Sequence, residues 1–162
     1  MAKQIDWLKK HEITTGKNYG KNIPNFYYNK KYLNYILNFI PKKAIEICDL
    51  GCGSGIVGKH IKDNKKNVKL TFIDANPKQL KGITKDYGKI KEGNLLNLNI
   101  NQKFDCIITR LVNHYFSKKQ QSKVINKIYE LLNDKGIYIS ALPLAKSQED
   151  QKAINKMFEL TN

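Results

Sequence analysis

The stretch from Ile45 to Gly55 constrains the fold more than any other part of this sequence. It reads Ile-Glu-Ile-Cys-Asp-Leu-Gly-Cys-Gly-Ser-Gly, a mainly apolar run that ends in three glycines at alternate positions. Such a pattern predicts a buried strand that turns sharply into a helix, because glycine permits positive φ and lets a ligand approach the backbone closely. The first amides of the helix then face the ligand. The stretch therefore predicts a ligand-binding turn between a strand and a helix.

Strand and helix patterns alternate along the rest of the chain. Strands are predicted over residues 44–50, 68–73, 89–92, 104–109 and 137–142, the last after a turn at 134–136. Helices are predicted over 31–40, 55–63, 118–132 and 148–160, together with one capped by Asn76 that carries Leu80, Ile83 and Tyr87 inward. This alternation predicts an α/β fold with a doubly wound, mostly parallel sheet that helices cover on both faces.

The composition bears on possible partners. The formal net charge of +15 attracts polyanions, yet only one of the 29 basic residues is an arginine, Arg110. Proteins that read nucleic acids favour arginine, because its planar fork grips phosphates and guanine with two hydrogen bonds. Scattered lysines among many Asn and Ile residues are what an AT-rich coding sequence gives without selection for binding. A small-molecule substrate is therefore slightly favoured, and RNA stays open.

The remaining bulk features indicate a cytoplasmic protein. No apolar run approaches the roughly 18 residues that a membrane span needs, and the first residues lack the apolar core of a signal peptide. The three cysteines, Cys48, Cys52 and Cys106, fall in or beside predicted buried strands rather than in a disulfide framework. No second cysteine pair is present, so no metal site is predicted.

Two carboxylates distinguish between the ligands that a glycine turn can bind. The segment from Gly53 to Gly58 also matches the dinucleotide pattern G-x-G-x-x-G, so the glycines alone leave an NAD-dependent oxidoreductase open. Asp49, just before the first glycine, would face a cationic group and repel a pyrophosphate. Asp74 closes the second strand, where a carboxylate accepts ribose hydroxyls in either case. A helix or turn cap is the structural alternative for Asp49.

With these residues in place, Asp49 to Gly55 resembles motif I of the class I S-adenosylmethionine (SAM) dependent methyltransferases, over about residues 42–142. The resemblance implies a Rossmann-like sheet with SAM across the ends of the first, second and fourth strands. The cofactor contacts it implies are Asp49, Gly51, Cys52 and Gly53 for the methionine portion, Asp74 for the ribose, and Ala75, Asn94 and Leu95 around the adenine. Asn94 stands where the family usually has an acid, and an amide still forms hydrogen bonds with adenine.

The resemblance also places the segment after the fourth strand beside the reacting sulfonium. His114, followed by Tyr115, is the candidate general base if the acceptor must lose a proton; packing at the strand end is the alternative. Arg110 is interpreted as covering the cofactor, holding an anionic group of the substrate, or making a structural contact. The Asn-Pro-Pro-Tyr type motif of enzymes that methylate adenine or glutamine amide nitrogen is absent from this segment.

The family sheet has a further C-terminal hairpin that this sequence does not predict. The predicted organisation is an N-terminal lid or helical segment over 1–41, a SAM-binding core over 42–145 and a C-terminal helix over 146–162. Aromatic residues near lysines in the first segment fit a lid, a base-stacking surface or a plug of the core: Tyr19, Phe26, Tyr27 and Tyr28. The missing hairpin leaves three alternatives open: the chain is a fragment, a homo- or hetero-oligomeric partner completes the sheet, or the fifth strand is an exposed edge.

The resulting hypothesis is a SAM-dependent methyltransferase that acts on an unidentified acceptor. The alternative is a non-catalytic or truncated SAM-binding subunit that needs a partner chain. No contact with a membrane is expected.

Overall fold

A computed structural model describes residues 30–142 and Gln148 of the chain, and the account below concerns the compact unit Tyr28–Ala141. Its helices are α1 (Lys30–Phe39), α2 (Ile56–Asn64), α3 (Pro77–Leu80) and α4 (Lys118–Leu131). Its strands are β1 (Glu46–Leu50), β2 (Lys69–Asp74), β3 (Lys89–Glu92), β4 (Phe104–Arg110) and β5 (Leu132–Ala141). Two short 3₁₀ helices cover Lys85–Tyr87 and Asn113–Tyr115.

The five strands form one sheet in the order β3-β2-β1-β4-β5, and every neighbouring pair is parallel. β1 lies at the centre, with β2 on one side and β4 on the other. Parallel strands place all their carboxyl ends at one edge of the sheet, so the residues that follow β1, β2 and β4 meet there. The predicted α/β, doubly wound, Rossmann-like architecture is confirmed.

Both faces of the sheet are buried, which explains why its strands read as continuous apolar runs. On one face, Ile47 and Cys106 pack with a cluster that includes residues of α1 and α2. On the other face, Cys48 and Ile107 pack with residues of α4. Because side chains alternate between the two faces along each strand, they contribute to two hydrophobic cores, one on each side of the sheet.

Two local predictions differ from the structure. The helix predicted to run from Asn76 to Tyr87 ends at Leu80, because Gly82 weakens helix continuation, and a 3₁₀ turn follows. The turn predicted at residues 134–136 lies inside β5, where the pairing with β4 is irregular and Lys135 has φ +63°. Elsewhere the element bounds agree within one or two residues.

Other predictions fall beyond the described part of the chain. These are the aromatic lid in the first segment, the final helix apart from Gln148, and the absence of a C-terminal hairpin. The three-part organisation over 1–41, 42–145 and 146–162 therefore stays a prediction.

One side chain joins three strands at the amino-terminal edge of the sheet. Asp105 of β4 accepts hydrogen bonds through Oδ2 from the amides of Ile45 (2.8 Å) and Glu46 (3.0 Å). Its Oδ1 accepts one from Asn133 Nδ2 of β5 at 2.7 Å. The Ile45 amide is the main cause that lowers the pKa of Asp105 below its ordinary value. This carboxylate therefore fixes where β1 begins beside β4 and β5.

We expect Asp105→Ala to lower the free energy of unfolding by about 2–3 kcal/mol, because charged hydrogen bonds to three donors are lost. Urea denaturation at pH 7 measures the loss, and Asp134→Ala, at an exposed position of the same edge, is the matched control. A depressed pKa stabilises the fold above the unfolded value of 3.8, and the stabilisation is lost as pH falls through the lower folded pKa. Wild type and variant should therefore converge in acid. Equal stability of the two variants at pH 7 would contradict this role.

Candidate active site

The glycine turn between β1 and α2 adopts the backbone that its sequence predicts. Gly51, Gly53 and Gly55 have φ values of +70°, +53° and +75°. The amides of Gly51 and Cys52 both donate to the carbonyl of Ile73 near the end of β2, at 2.7 and 3.0 Å. The turn is therefore fastened to β2, and its path is fixed before any ligand binds.

Asp49 is buried beneath this turn, with only 1% of its surface exposed. Its Oδ2 accepts a hydrogen bond of 2.8 Å from the amide of Gly58 in the first turn of α2. A Cβ at position 58 would overlap the ring of Phe72 and lie 3.1 Å from Asp49 Oδ2, so only glycine lets the helix come this close. Asp49 thus acts as a cap of α2, the structural role that the sequence left as an alternative.

Burial raises the pKa of Asp49 to about 6, against the opposing effects of the Gly58 amide and of Arg110. The nearby Asp74 raises it further. Oδ1 of Asp49 accepts no hydrogen bond within residues 30–142. This carboxylate also holds the helix N-terminus, the position where a dinucleotide enzyme binds a pyrophosphate. The local electrostatics therefore favour a cationic ligand group over a diphosphate.

Asp74 lies at the neighbouring strand end and also holds the glycine turn. Its Oδ2 accepts from the amide of Gly53 at 2.7 Å, and its Oδ1 accepts from the amide of Asn76 at 2.8 Å. A carboxylate oxygen has two lone pairs, so each oxygen retains one for a ligand hydroxyl. Ala75, the next residue, is half-buried. The geometry fits a ligand diol beside Asp74.

The turn after β3 lies next to Asp74, since the amide of Gly93 donates to the Asp74 carbonyl at 3.0 Å. Asn94 Oδ1 accepts from the amide of Leu96 at 3.0 Å, which closes a local turn. The side chain of Leu95 is buried in the core cluster on the α4 face of the sheet. Within residues 30–142, the side-chain amide nitrogen of Asn94 forms no hydrogen bond. Because the Leu95 side chain is buried, its backbone is the part that can face a ligand.

The segment after β4 packs directly on the glycine turn. A Cβ at position 51 would collide with the side chain of Val112, so the first glycine is required by a contact as well as by its φ. Leu111 itself has φ +56°, which turns the chain back over the strand ends. Arg110, the last residue of β4, is half-buried. Burial raises the pKa of Tyr32, as it does for Asp49, and in both cases the guanidinium of Arg110 opposes the rise.

His114 lies in the 3₁₀ turn that follows, half-buried, with its ring centroid 4.0 Å from that of Tyr115. The contact between Val112 and Gly51 ties this turn to the glycine turn. His114 is therefore at the predicted edge of the sheet, in contact with an aromatic neighbour as the packing alternative expects.

A polar cluster that the sequence did not predict holds this segment in place. Asn113 Nδ2 donates to Tyr138 Oη (2.9 Å) and to Ser140 Oγ (3.0 Å), both on β5. Tyr138 Oη also lies 2.6 Å from Thr109 Oγ1 on β4. Gln121 Nε2 of α4 donates to the Asn113 carbonyl at 3.1 Å. The partners on β4 and β5 lie 25 to 29 residues apart and leave no periodic pattern. Tyr138 and Ser140, the polar side chains in the second half of β5, were the available signal.

The described residues hold no group of three or more His, Cys, Asp or Glu side chains that could bind a metal ion. All three cysteines are free thiols. Burial raises the pKa of the Cys106 thiol to about 12, and burial likewise raises that of Cys52. No helix within the described ranges has the length and apolar character that crossing a bilayer demands.

Comparison with known proteins places this geometry in a family. Residues 48–138 match the family model described as a methyltransferase domain. The chain is 25% identical over 146 residues to the carboxy-S-adenosyl-L-methionine synthase of Campylobacter lari, covering 86% of this chain and 61% of that protein. It is also 25% identical over 140 residues to the malonyl-[acyl-carrier protein] O-methyltransferase of Acetivibrio thermocellus, covering 80% of this chain and 47% of that protein.

Solved structures agree on the fold. A SAM-dependent methyltransferase from Clostridium acetobutylicum superposes with a TM-score of 0.61 at 21% identity, over 68% of this chain and 49% of that chain. This chain thus spans between about half and three-fifths of the length of these proteins. The match of the family model covers more than half of the chain, including the glycine turn, Asp74 and β4. The chain therefore belongs to the methyltransferase domain family, with the Rossmann-like fold of the class I SAM-dependent methyltransferases.

Proposed function

We propose that this chain binds SAM at the carboxyl edge of its sheet and transfers the methyl group to a small-molecule acceptor. The observation that carries the proposal is the buried Asp49, which occupies the N-terminus of α2 directly below the three positive-φ glycines. A nucleoside that carries a cationic amino-acid end fits this arrangement, whereas a diphosphate would meet a carboxylate.

Each part of SAM has a partner in the proposed complex. Oδ1 of Asp49 attracts the ammonium of the methionine portion, which runs along the backbone of Gly51, Cys52 and Gly53. Asp74 accepts the ribose hydroxyls through its remaining lone pairs. The adenine lies between Ala75 and the backbone of the turn at Asn94 and Leu95. Because Asn94 Oδ1 already accepts from Leu96, its amide nitrogen suits an adenine ring nitrogen better than the adenine amino group.

SAM supplies a methyl group that is activated by the adjacent sulfonium. The work left to the chain is alignment of the acceptor and exclusion of water. His114 is proposed to take the proton of an acceptor hydroxyl or amine, and the Asn113 cluster holds its turn against β5. Arg110 is proposed to hold an anionic group of the acceptor or to cover the cofactor.

A small acceptor is favoured over RNA by the single arginine and by its place at the site. The names of both curated relatives refer to carboxyl chemistry, carboxy-SAM in one and a malonyl group in the other. A carboxylate on the acceptor would match Arg110, the only guanidinium in the chain. The free thiols favour a reducing compartment, the cytoplasm.

The alternative is a SAM-binding subunit that depends on a partner. Within residues 30–142, β5 pairs with β4 along one edge and has no strand on its other edge. A homo- or hetero-oligomeric partner that adds a strand there remains part of this alternative. One experiment distinguishes an active methyltransferase from a SAM-binding subunit. The chain is incubated with labelled SAM and cell extract, and the label is then measured in the small-molecule, RNA and protein fractions. Label in the small-molecule fraction supports the proposal, and tight SAM binding without any label supports the subunit.

We expect Asp49→Asn to weaken SAM binding about tenfold to a hundredfold, because a buried charge that faces the ammonium is lost while the capping oxygen is kept. Wild-type affinity should fall as pH drops through about 6, where Asp49 takes up a proton and becomes neutral. The variant should lack this pH dependence. Isothermal titration calorimetry between pH 5 and pH 8 measures both effects.

Two controls sharpen this experiment. Asp86→Asn removes an exposed carboxylate near β3 and should leave SAM affinity unchanged. 5′-Methylthioadenosine, which lacks the amino-acid end, should bind wild type and Asp49→Asn equally well. NAD binding in the absence of SAM binding would overturn the assignment of the site.

We expect His114→Ala to lower the rate of methyl transfer by about a hundredfold or more, with SAM affinity within twofold of wild type, since the side chain is assigned to the acceptor proton. The initial rate of label incorporation into the small-molecule fraction is the measurement. His60→Ala is the matched control, because that imidazole lies on α2 beside Asn34, with 2.8 Å between Nε2 and Oδ1. Equal rates for the two variants would exclude His114 as the base.

We expect Asn113→Ala to lower the rate of methyl transfer about tenfold without weakening SAM binding. The variant loses the hydrogen bonds to Tyr138 and Ser140 that hold the turn carrying His114. Asn101→Ala, at an exposed position before β4, is the control. A variant that changes SAM affinity as strongly as the rate would show that Asn113 supports the whole fold rather than the position of His114.

A further inference from the structure

A cavity of about 580 Å³ opens at the amino-terminal edge of the sheet, where β1, β2 and β3 begin. Parallel strands place this edge opposite the one that carries the glycine turn. Its volume falls within the range of pockets that hold small molecules, roughly 300–1,000 Å³. Nothing in the proposed methyl transfer uses this cavity.

The inner wall of the cavity is mainly apolar. Val68 and Leu70 of the β2 region and Ile90 of β3 line it, together with Tyr87. The Tyr87 ring is half-buried, and Lys59 Nζ lies 5.8 Å from its centroid. These surfaces suit the body of a flat apolar molecule, which would contact the tyrosine and the aliphatic side chains.

The charged residues of the lining are four lysines and two carboxylates, Glu46 and Asp86. Two of the lysines have partners: Lys69 pairs with Glu46 at 3.0 Å, and Lys62 donates to the Val68 carbonyl at 2.6 Å. The other two, Lys85 and Lys89, form no hydrogen bond or ion pair within residues 30–142. Asp86 likewise forms no hydrogen bond or ion pair within residues 30–142. The cavity still has an excess of positive charge, because the ammonium groups of Lys85 and Lys89 outnumber this one remaining carboxylate.

We propose that this cavity binds a small organic phosphate with an aromatic body, at a site separate from the cofactor. A phosphate monoester carries up to two negative charges near neutral pH, which matches the two available ammonium groups. The apolar wall then takes the ring. An inorganic anion would use only the lysines, and a neutral aromatic molecule only the wall, so each should bind more weakly than the two groups joined in one molecule.

The test uses phenyl phosphate, inorganic phosphate and benzyl alcohol as probes of the full-length chain. Amide chemical shifts in ¹⁵N-resolved NMR spectra report where each probe binds. Saturable shifts centred on Gly88 and Ile90 are expected for phenyl phosphate, with the other two probes binding at least several-fold more weakly. The titration is repeated with SAM in excess and should give the same affinity, because the two sites lie at opposite edges of the sheet.

Charge reversal of the exposed pair, Lys85→Glu with Lys89→Glu, should weaken phenyl phosphate binding about tenfold or more. Lys119→Glu with Lys123→Glu, two exposed lysines on α4, is the matched control and should have little effect. Equal losses in both double variants, or shifts spread over all lysine-bearing surfaces, would show general attraction to a basic protein and overturn the proposal. Loss of the shifts in excess SAM would assign the phosphate to the cofactor turn and overturn it as well.

Discussion

The hydrogen bond between Asp49 and the amide of Gly58 is the contact on which the rest of the site depends. It joins the end of the central strand to the first turn of α2 across the three glycines. The approach is close enough that a Cβ at position 58 would overlap Phe72. Asp74 makes the same kind of contact with Gly53 from the neighbouring strand. Two carboxylates thus shape the turn from below, and in the proposed complex the same two face the ammonium and the ribose hydroxyls of SAM.

The second half of the site is built from β4 and β5. Val112 fills the space that the missing Cβ of Gly51 leaves, so the segment after β4 rests on the glycine turn. Asn113 then ties this segment to Tyr138 and Ser140. The glycine turn therefore contacts the segment after β4 at Val112, and the 3₁₀ turn that carries His114 is held separately by β5.

The sequence was sufficient to predict the sheet and the backbone of the glycine turn, because both depend on local patterns. Apolar runs identify the strands, and a strand followed by glycines at alternate positions is compatible with few structures other than a tight turn into a helix. Asp49 and Asp74 were predicted from their positions at the strand ends. The methyltransferase resemblance is confirmed by the family match over residues 48–138.

Long-range contacts account for what the sequence did not predict. Tyr138 of β5 forms hydrogen bonds with Asn113 in the turn after β4 and with Thr109 on β4. No regular spacing in the sequence predicts such contacts. The sequence did not predict that Gly58 lets α2 approach Asp49 and Phe72 closely, because the pattern G-x-G-x-x-G already gave another explanation for this glycine. The helix predicted after Asn76 was too long, because Leu80, Ile83 and Tyr87 keep helical spacing. In the structure the helix ends before Gly82, and a 3₁₀ turn follows.

The buried carboxylate of Asp49 also determines how the chain responds to acid when no ligand is bound. Its folded-state pKa of about 6 lies above the value of 3.8 expected for an unfolded chain. The neutral carboxyl therefore gives its full contribution to stability below pH 3.8, and that contribution is lost as pH rises through 6. Near neutral pH the buried Asp49 therefore carries a charge that burial disfavours, and the ammonium of the proposed ligand would offset that cost. Purification in mildly acidic buffer would thus favour the ligand-free protein, whereas neutral buffer would retain any cationic ligand carried over from the cell.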